Sequence, residues 1–196
     1  EREHFQIVSE QSQRMADIIG HLRIFGRRDA LEPSLMDPAA CVRQAVDMVL
    51  EQYRLEDIEI VSDIPEQAHA VMGHPIRLEQ VLVNLLGNAH DAILEHSTDD
   101  AASPKGRIAV TLADDAEGNS LSISVSDSGG GISQDKMDSI FEPFFTTKEV
   151  GRGMGLGLSV SQSIISEMGG ALSAKTTDNG ACFSVTLPYG EADKDG

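Results

Sequence analysis

Asp127-Ser128-Gly129-Gly130-Gly131-Ile132 and Gly151-Arg152-Gly153-Met154-Gly155-Leu156-Gly157-Leu158 are two glycine clusters on either side of Phe141-Glu142-Pro143-Phe144-Phe145-Thr146-Thr147-Lys148. The first cluster follows an alternating run, Leu121 to Val125, that reads as a strand. The second runs into an apolar segment, Leu158 to Met168, that reads as a helix. Glycines let backbone approach a ligand closely. At a helix start they leave N–H groups facing outward, where the helix dipole favours an anion such as phosphate. The other glycine signatures fit worse. A P-loop needs Gly-Lys-Ser/Thr after four spacer residues, and no such run exists; a dinucleotide fingerprint needs G-x-G-x-x-G, whereas the glycines from 151 to 157 fall at every second position. One cluster alone would read as well as a surface loop. Two, with an aspartate at the head of the first and a polar-edged helix upstream, point to a pocket.

That upstream helix is predicted over 75–96. Leu78, Val81, Leu82, Leu85, Ala89, Ala92 and Ile93 recur at three and four and make one apolar face. Arg77, Asn84, Asn88, Asp91 and Glu95 line a stripe beside that face, where polar side chains can edge a pocket. Asp37-Pro38 is an N-cap and N1 pair for a helix over 38–54, and Pro33 to Pro38 marks a break before it. Strands are expected near 57–63 and 69–72, over 107–113 and 120–127 around Glu117-Gly118-Asn119, and at 171–177 and 182–187 around Asp178-Asn179-Gly180. Asp99 to Gly106 reads as a polar loop. Gly169-Gly170 should end the helix begun near 157. Within 133–152 the aromatics Phe141, Phe144 and Phe145 are expected to anchor a lid.

The chain has 196 residues, enough for one cored domain and an appendage. A formal charge of −17 argues against nucleic acid or an anionic membrane surface as partner, and means that a nucleotide must be held by local donors. Cys41 and Cys182 offer neither metal spacing nor a disulfide framework; both sit in apolar runs and read as buried thiols of a reducing compartment. No apolar run approaches the roughly 20 residues of a membrane span, and no signal peptide is visible. Cytoplasmic location is therefore expected for this stretch. Glu1 is not a natural start, so a fragment is expected, which leaves membrane anchoring of a longer protein open.

Residues 1–29 read as one long helix. Val8, Met15 and Leu22 fall seven apart, and Ile18 and Phe25 lie three beyond two of them, an a/d seam that needs a partner. Arg23, Arg27 and Arg28 suit its C-terminus. The tail, 191–196, is acidic.

At this point the chain resembles the catalytic, ATP-binding domain of sensor histidine kinases, in the gyrase, heat-shock-90, histidine kinase and mismatch-repair ATPase superfamily. Asn84-Leu-Leu-Gly-Asn88-Ala-His-Asp-Ala is similar to the N box. Asp127 to Ile132 resembles the first glycine box, Phe141 to Phe145 the F box, Gly153 to Gly157 the second glycine box and Gly180-Ala-Cys-Phe183 the third. The resemblance covers about residues 33–188. It implies an α+β fold: a two-layer, Bergerat-type α/β sandwich whose mixed, mostly antiparallel sheet is covered on one face by helices. With the N-terminal helix it divides the chain into 1–29, 30–190 and 191–196. Residues 1–29 resemble the second helix of the dimerisation and phosphoacceptor hairpin, especially Arg14 to Arg27. The first helix, with the acceptor histidine, would lie outside this stretch.

The resemblance also assigns roles. Asp127 would accept a hydrogen bond from the adenine amino group. Gly129 and Gly131 would make room for the base. Asn88 would offer its carbonyl oxygen to Mg²⁺, and Asn84 would support the same polyphosphate site. Gly153, Gly155 and Gly157 would present N–H groups to phosphate. Lys148 and Arg152 would steady the γ-phosphate and, with Asn84, form the catalytic set. Asp91, Ile132, Phe145, Met154, Leu156 and Leu158 complete the nucleotide-binding set. Two departures sharpen this. Hydrolysing relatives carry a general-base Glu where this chain has Asn84, which favours delivery of phosphate to a protein acceptor. Many kinases carry a basic residue where this chain has Asp91, which shifts the cationic contact to the lid. His90-Asp91 has the acceptor dipeptide but lies inside the N box, and His4, His21, His69, His74 and His96 lack the context. The implied cofactors are ATP and Mg²⁺. The implied partners are a histidine-containing hairpin, a response regulator receiver domain and a second copy in a homodimer. A hydrolysing superfamily ATPase and a degenerate, conformational nucleotide-binding scaffold are the rival readings.

Overall fold

The computed structural model describes residues 32–96, 105–115, 118–148 and 154–190. The expected helix over 1–29, most of the loop at 99–106, Arg152, Gly153 and the tail at 191–196 lie outside them. The chain divides into two compact units, Glu1–Glu32 and Pro33–Gly196, and the architecture below is that of the second.

Its elements are β1 (Ser34–Met36), α1 (Pro38–Leu55), β2 (Ile58–Asp63), β3 (Val71–Gly73), α2 (Pro75–His96), β4 (Gly106–Asp115), β5 (Ser120–Asp127), α3 (Gln134–Met137), α4 (Gly157–Glu167), β6 (Ala171–Thr177) and β7 (Gly180–Pro188). Five strands form one sheet in the order β2-β4-β5-β7-β6. The β2–β4 pair is parallel and the other three are antiparallel. The sheet is thus mixed and mostly antiparallel, as the resemblance implies.

Alternation along the strands sorts the two faces. In β5, Leu121, Ile123, Val125 and Asp127 are buried while the serines between them are half-buried. Register carries the pattern across the sheet: Leu121 stands opposite Leu187, Ile123 opposite Val185 and Val125 opposite Phe183. The other face bears small polar groups, with the Ser124 and Ser184 hydroxyls 3.1 Å apart. Helices α1, α2 and α4 cover the apolar face: α1 lies by β2, α2 by β4 and β5, and α4 by β6. Leu78, Leu82, Leu85, Leu86 and Ile93 of α2 are fully buried there. Each contributes about 1.5–3 kcal/mol of transfer free energy against the cost of ordering the chain. Of the seven residues expected on the apolar face all but Ala92, which is half-buried, are buried, and Leu86 joins them because α2 is flanked by α1 and α4 as well as the sheet.

Local chemistry sets the ends. Asp37 Oδ1 accepts from the Ala39 amide at 2.9 Å, and Pro38 occupies the first turn, so α1 starts where the capping pair predicts. Helix α4 stops at Gly169, whose φ of 73° and hydrogen bond to the Ser166 carbonyl turn the chain out. Two elements were not anticipated. β1 lies inside the segment read as a break; it pairs antiparallel with β3. Three residues between prolines are too few to show alternation, and the strand exists because Met36 is buried and paired across from Val71. α3, four residues long, is likewise too short to leave a periodic signal.

Candidate functional site

Helix α2 is the element on which the site is assembled, and its polar stripe meets a different segment at each turn. At Arg77, near its N-terminus, the guanidinium pairs with Glu167 at the end of α4. At Asn84, Nδ2 donates to Ser161 Oγ at 3.1 Å. Ser161 is 2% exposed, so this bond pins two helices in a dry place. These two contacts make α2 and α4 antiparallel. At Asn88 and Asp91 the stripe meets Lys148: its Nζ pairs with Asp91 Oδ2 and stands 3.5 Å from Asn88 Oδ1. At Ala92 the first glycine cluster packs in, and a side chain on Gly129 would lie 2.8 Å from the Ala92 backbone. From Ala92 to Asn84 the helix rises about 12 Å, at about 1.5 Å per residue. The glycine clusters and the lid lysine are thereby strung along one edge.

Asp127 closes the Ala92 end. It is 6% exposed. Its Oδ1 accepts from the amides of Gly129 at 2.9 Å and Ala181 at 3.2 Å. Gly180 lies against it, where any side chain would collide with the Asp127 carbonyl and carboxylate. The third glycine segment thus seats the aspartate. Among the described residues no donor reaches Oδ2, so one oxygen holds the fold and the other is uncommitted. Ile132 is clasped by Thr176, whose hydroxyl accepts from the Ile132 amide at 3.2 Å and donates to its carbonyl at 2.6 Å. Gly131, with φ of 72°, lies against Thr176 and Gly180.

The second glycine cluster serves packing as well as any ligand. Gly155 has φ of 64° and accepts, through its carbonyl, a hydrogen bond from the Phe144 amide at 2.8 Å. A side chain there would strike the Phe144 and Phe145 backbone. Gly157 lies against the Asn84 carboxamide so closely that a methyl group would overlap it. Met154, Leu156 and Leu158 are half-buried, as is Phe145. The Leu156 carbonyl accepts from the Val160 amide and the Ser159 hydroxyl. The expectation that the aromatics anchor the lid needs correction at Phe144. That ring is 74% exposed, on a residue whose φ is 69°, and the anchor is its backbone bond to Gly155.

The structure therefore brings Asn88, Asp91 and Lys148 together, sets Asn84 one turn away against Gly157, and places Asp127, Gly129, Gly131 and Ile132 at the other end. Arg152 and Gly153 lie outside the described residues. Sequence reasoning missed the backing of Asp91. His90 Nε2 lies 2.7 Å from Glu56 Oε2, and its Nδ1 lies 3.3 Å from Asp91 Oδ1. Its ring stacks on Tyr53 with centroids 4.5 Å apart. The hydrogen bond to His90 holds the Glu56 carboxyl below its usual range. Burial, with Asp91 and Glu56 nearby, pushes the Tyr53 hydroxyl up to about 12. His90 is thus a packed, hydrogen-bonded side chain. Glu56 and Tyr53 lie more than thirty residues upstream, and no local pattern joins them to it.

Comparison with known proteins agrees with this geometry. Residues 73–191 match the family described as histidine kinase-, DNA gyrase B-, and HSP90-like ATPase. The two-component sensor PprA of Pseudomonas aeruginosa is 39% identical over 95% of this chain, and the C4-dicarboxylate transport sensor protein DctB of the same species 33% identical over 87%. The chain spans only 20% and 27% of those two proteins. The catalytic domain of histidine kinase ThkA superposes with a TM-score of 0.68 at 28% identity, covering 81% of this chain and 97% of that one. An Asp-headed glycine loop, an asparagine-bearing helix and a lid between two glycine clusters, with these matches over most of the chain, place it in the histidine kinase-, DNA gyrase B- and HSP90-like ATPase family, as a catalytic ATP-binding domain of the sensor histidine kinase kind.

Proposed function

We propose that this domain binds Mg-ATP and donates its γ-phosphoryl group to a histidine on a dimerisation hairpin, from which a response regulator takes it. The observation that carries the reading is the divided use of Asp127: Oδ1 is consumed by two backbone amides and Oδ2 has no partner among the described residues. A buried aspartate with one uncommitted oxygen, at the head of a glycine-rich loop, suits the amino group of a purine.

The fit to a divalent cation rests on Asn88, whose carbonyl oxygen already stands 3.5 Å from an ammonium and so lies where positive charge is welcome. Asn88 would hold Mg²⁺ with the phosphates supplying further oxygens. The bound ion would neutralise charge developing on the transferred group. Lys148 offers a second cation beside it, and Arg152 is the other candidate. Asn84 donates its amide to Ser161 and has no basic atom with which to take a proton from water. That supports transfer to a protein acceptor over hydrolysis. Orientation of donor and acceptor then supplies most of the rate. A ThkA complex with response regulator protein TrrA, 25% identical to this chain, supports a receiver domain as the next partner.

Calorimetric titration with ATP and ADP tests the pocket. Asp127→Asn keeps an acceptor at Oδ1 but turns the other position into a donor facing the purine amino group. Both nucleotides should lose affinity alike, by roughly ten- to 150-fold for a charge-assisted bond of about 1.5–3 kcal/mol. Loss of ATP binding with ADP binding retained would move Asp127 to the phosphate end and reverse the pocket.

A further inference from the structure

We propose that Asp91 is a positioning residue, whose carboxylate holds the lid ammonium of Lys148 beside Asn88 so that a γ-phosphate meets a cation already in place. The proposal deepens the Mg-ATP reading above and rests on it. Lys148 follows a stretch joined to the core through the Phe144–Gly155 backbone bond, and its side chain is a flexible four-carbon stem that loses rotamer freedom when fixed. Something must fix it. Asp91 Oδ2 does so directly, while Asp91 Oδ1 lies 3.3 Å from His90 Nδ1. His90 is itself held, 2.7 Å from Glu56 at the end of α1 and stacked on Tyr53. The carboxylate is thereby braced from its far side by a packed ring, and the braced carboxylate sets the lysine. The result is a cation at the turn of α2 where Asp91 itself supplies none, delivered from the lid.

The alternative is plain electrostatics. Asp91 is a negative charge at the phosphate end of a chain of net charge −17. If it acted only as a charge, its removal would tighten binding of a polyphosphate. If it positions Lys148, its removal weakens that binding. The two accounts differ in sign.

The test is calorimetry of ATP and ADP, with Mg²⁺, on the wild-type chain, Asp91→Asn, Lys148→Met and the double variant. Lys148→Met should lower ATP affinity by about tenfold or more and ADP affinity less, since ADP lacks the γ-phosphate. Asp91→Asn should lower ATP affinity in the wild-type background and change it no further once Lys148 is gone. Amide exchange in residues 144–148 of the nucleotide-free chain should quicken in Asp91→Asn. Tighter ATP binding by Asp91→Asn, an undiminished effect in the Lys148→Met background, or unchanged exchange overturns the proposal. Failure of the wild-type chain to bind nucleotide would defeat the Mg-ATP reading instead, and the exchange measurement would still decide whether Asp91 holds Lys148.

Discussion

At the scale of single residues, Asp127 and Asn88 differ in how their chemistry is divided. Asp127 serves the fold with Oδ1 and, in the proposed reading, a ligand with Oδ2, so truncation conflates the two roles. Asp127→Ala would strand two buried amides, at about 1–3 kcal/mol, which is why the asparagine variant is the cleaner probe. The Asn88 side chain makes no hydrogen bond among the described residues except the long one from Lys148. Asn88→Ala should therefore leave thermal stability close to wild type while weakening ATP binding more with Mg²⁺ than with EDTA; calorimetry in both conditions measures it. Equal losses would reduce Asn88 to a contact with the phosphates. Both residues were legible in the sequence because each sits in a short motif whose glycines and helical spacing travel with it. The partners of Asp91 were not. Glu56 ends one helix and Tyr53 points inward from it, and only the packing of α1 on α2 brings them to His90.

At the scale of elements, the pairing of α2 with α4 sets Asn84 against the second glycine cluster. Gly157 is confined by the Asn84 carboxamide. Gly157→Ala should cost about 1–3 kcal/mol by overpacking, read from denaturant melts. Adding Asn84→Ala should recover part of it, and no recovery would mean that the backbone, not the carboxamide, sets the limit. The α1–α2 seam carries a pH dependence. Glu56 is lowered from an ordinary value of 4.5, chiefly by its hydrogen bond to His90. The unfolded chain therefore takes up the proton first as pH falls. The stabilisation is complete above the unfolded value and is lost as pH drops below about 4.5 through the folded one. Glu56→Gln should flatten stability against pH in that acid limb without altering its slope above about pH 6; an unchanged limb would show the bond to be idle. Long elements such as α2 announced themselves by period and caps. β1 did not, since its strand character comes from β3, far along the chain.

At the scale of the molecule, the layered sandwich could be read because alternation in the strands and the three-four spacing in the helices agree on one buried face. The five ordered boxes then gave an expectation of where a ligand would lie. The lid was legible only as a segment. That Phe144 faces solvent while its amide holds Gly155 follows from a left-handed backbone that phenylalanine does not advertise. A chain of net charge −17 that takes a polyphosphate, as proposed, must do so with a few placed donors and the proposed Mg²⁺, and the same proposal leaves the transferred group no acceptor among the described residues. His90, which has the acceptor dipeptide, is engaged by Glu56 and stacked on Tyr53. Incubation of this chain with γ-labelled ATP and Mg²⁺, alone and with a histidine-bearing dimerisation hairpin, is the most direct measurement of that claim. Acid-labile label should appear on the hairpin and not on the chain alone. Acid-labile label on the chain alone, or steady release of phosphate without the hairpin, would contradict it.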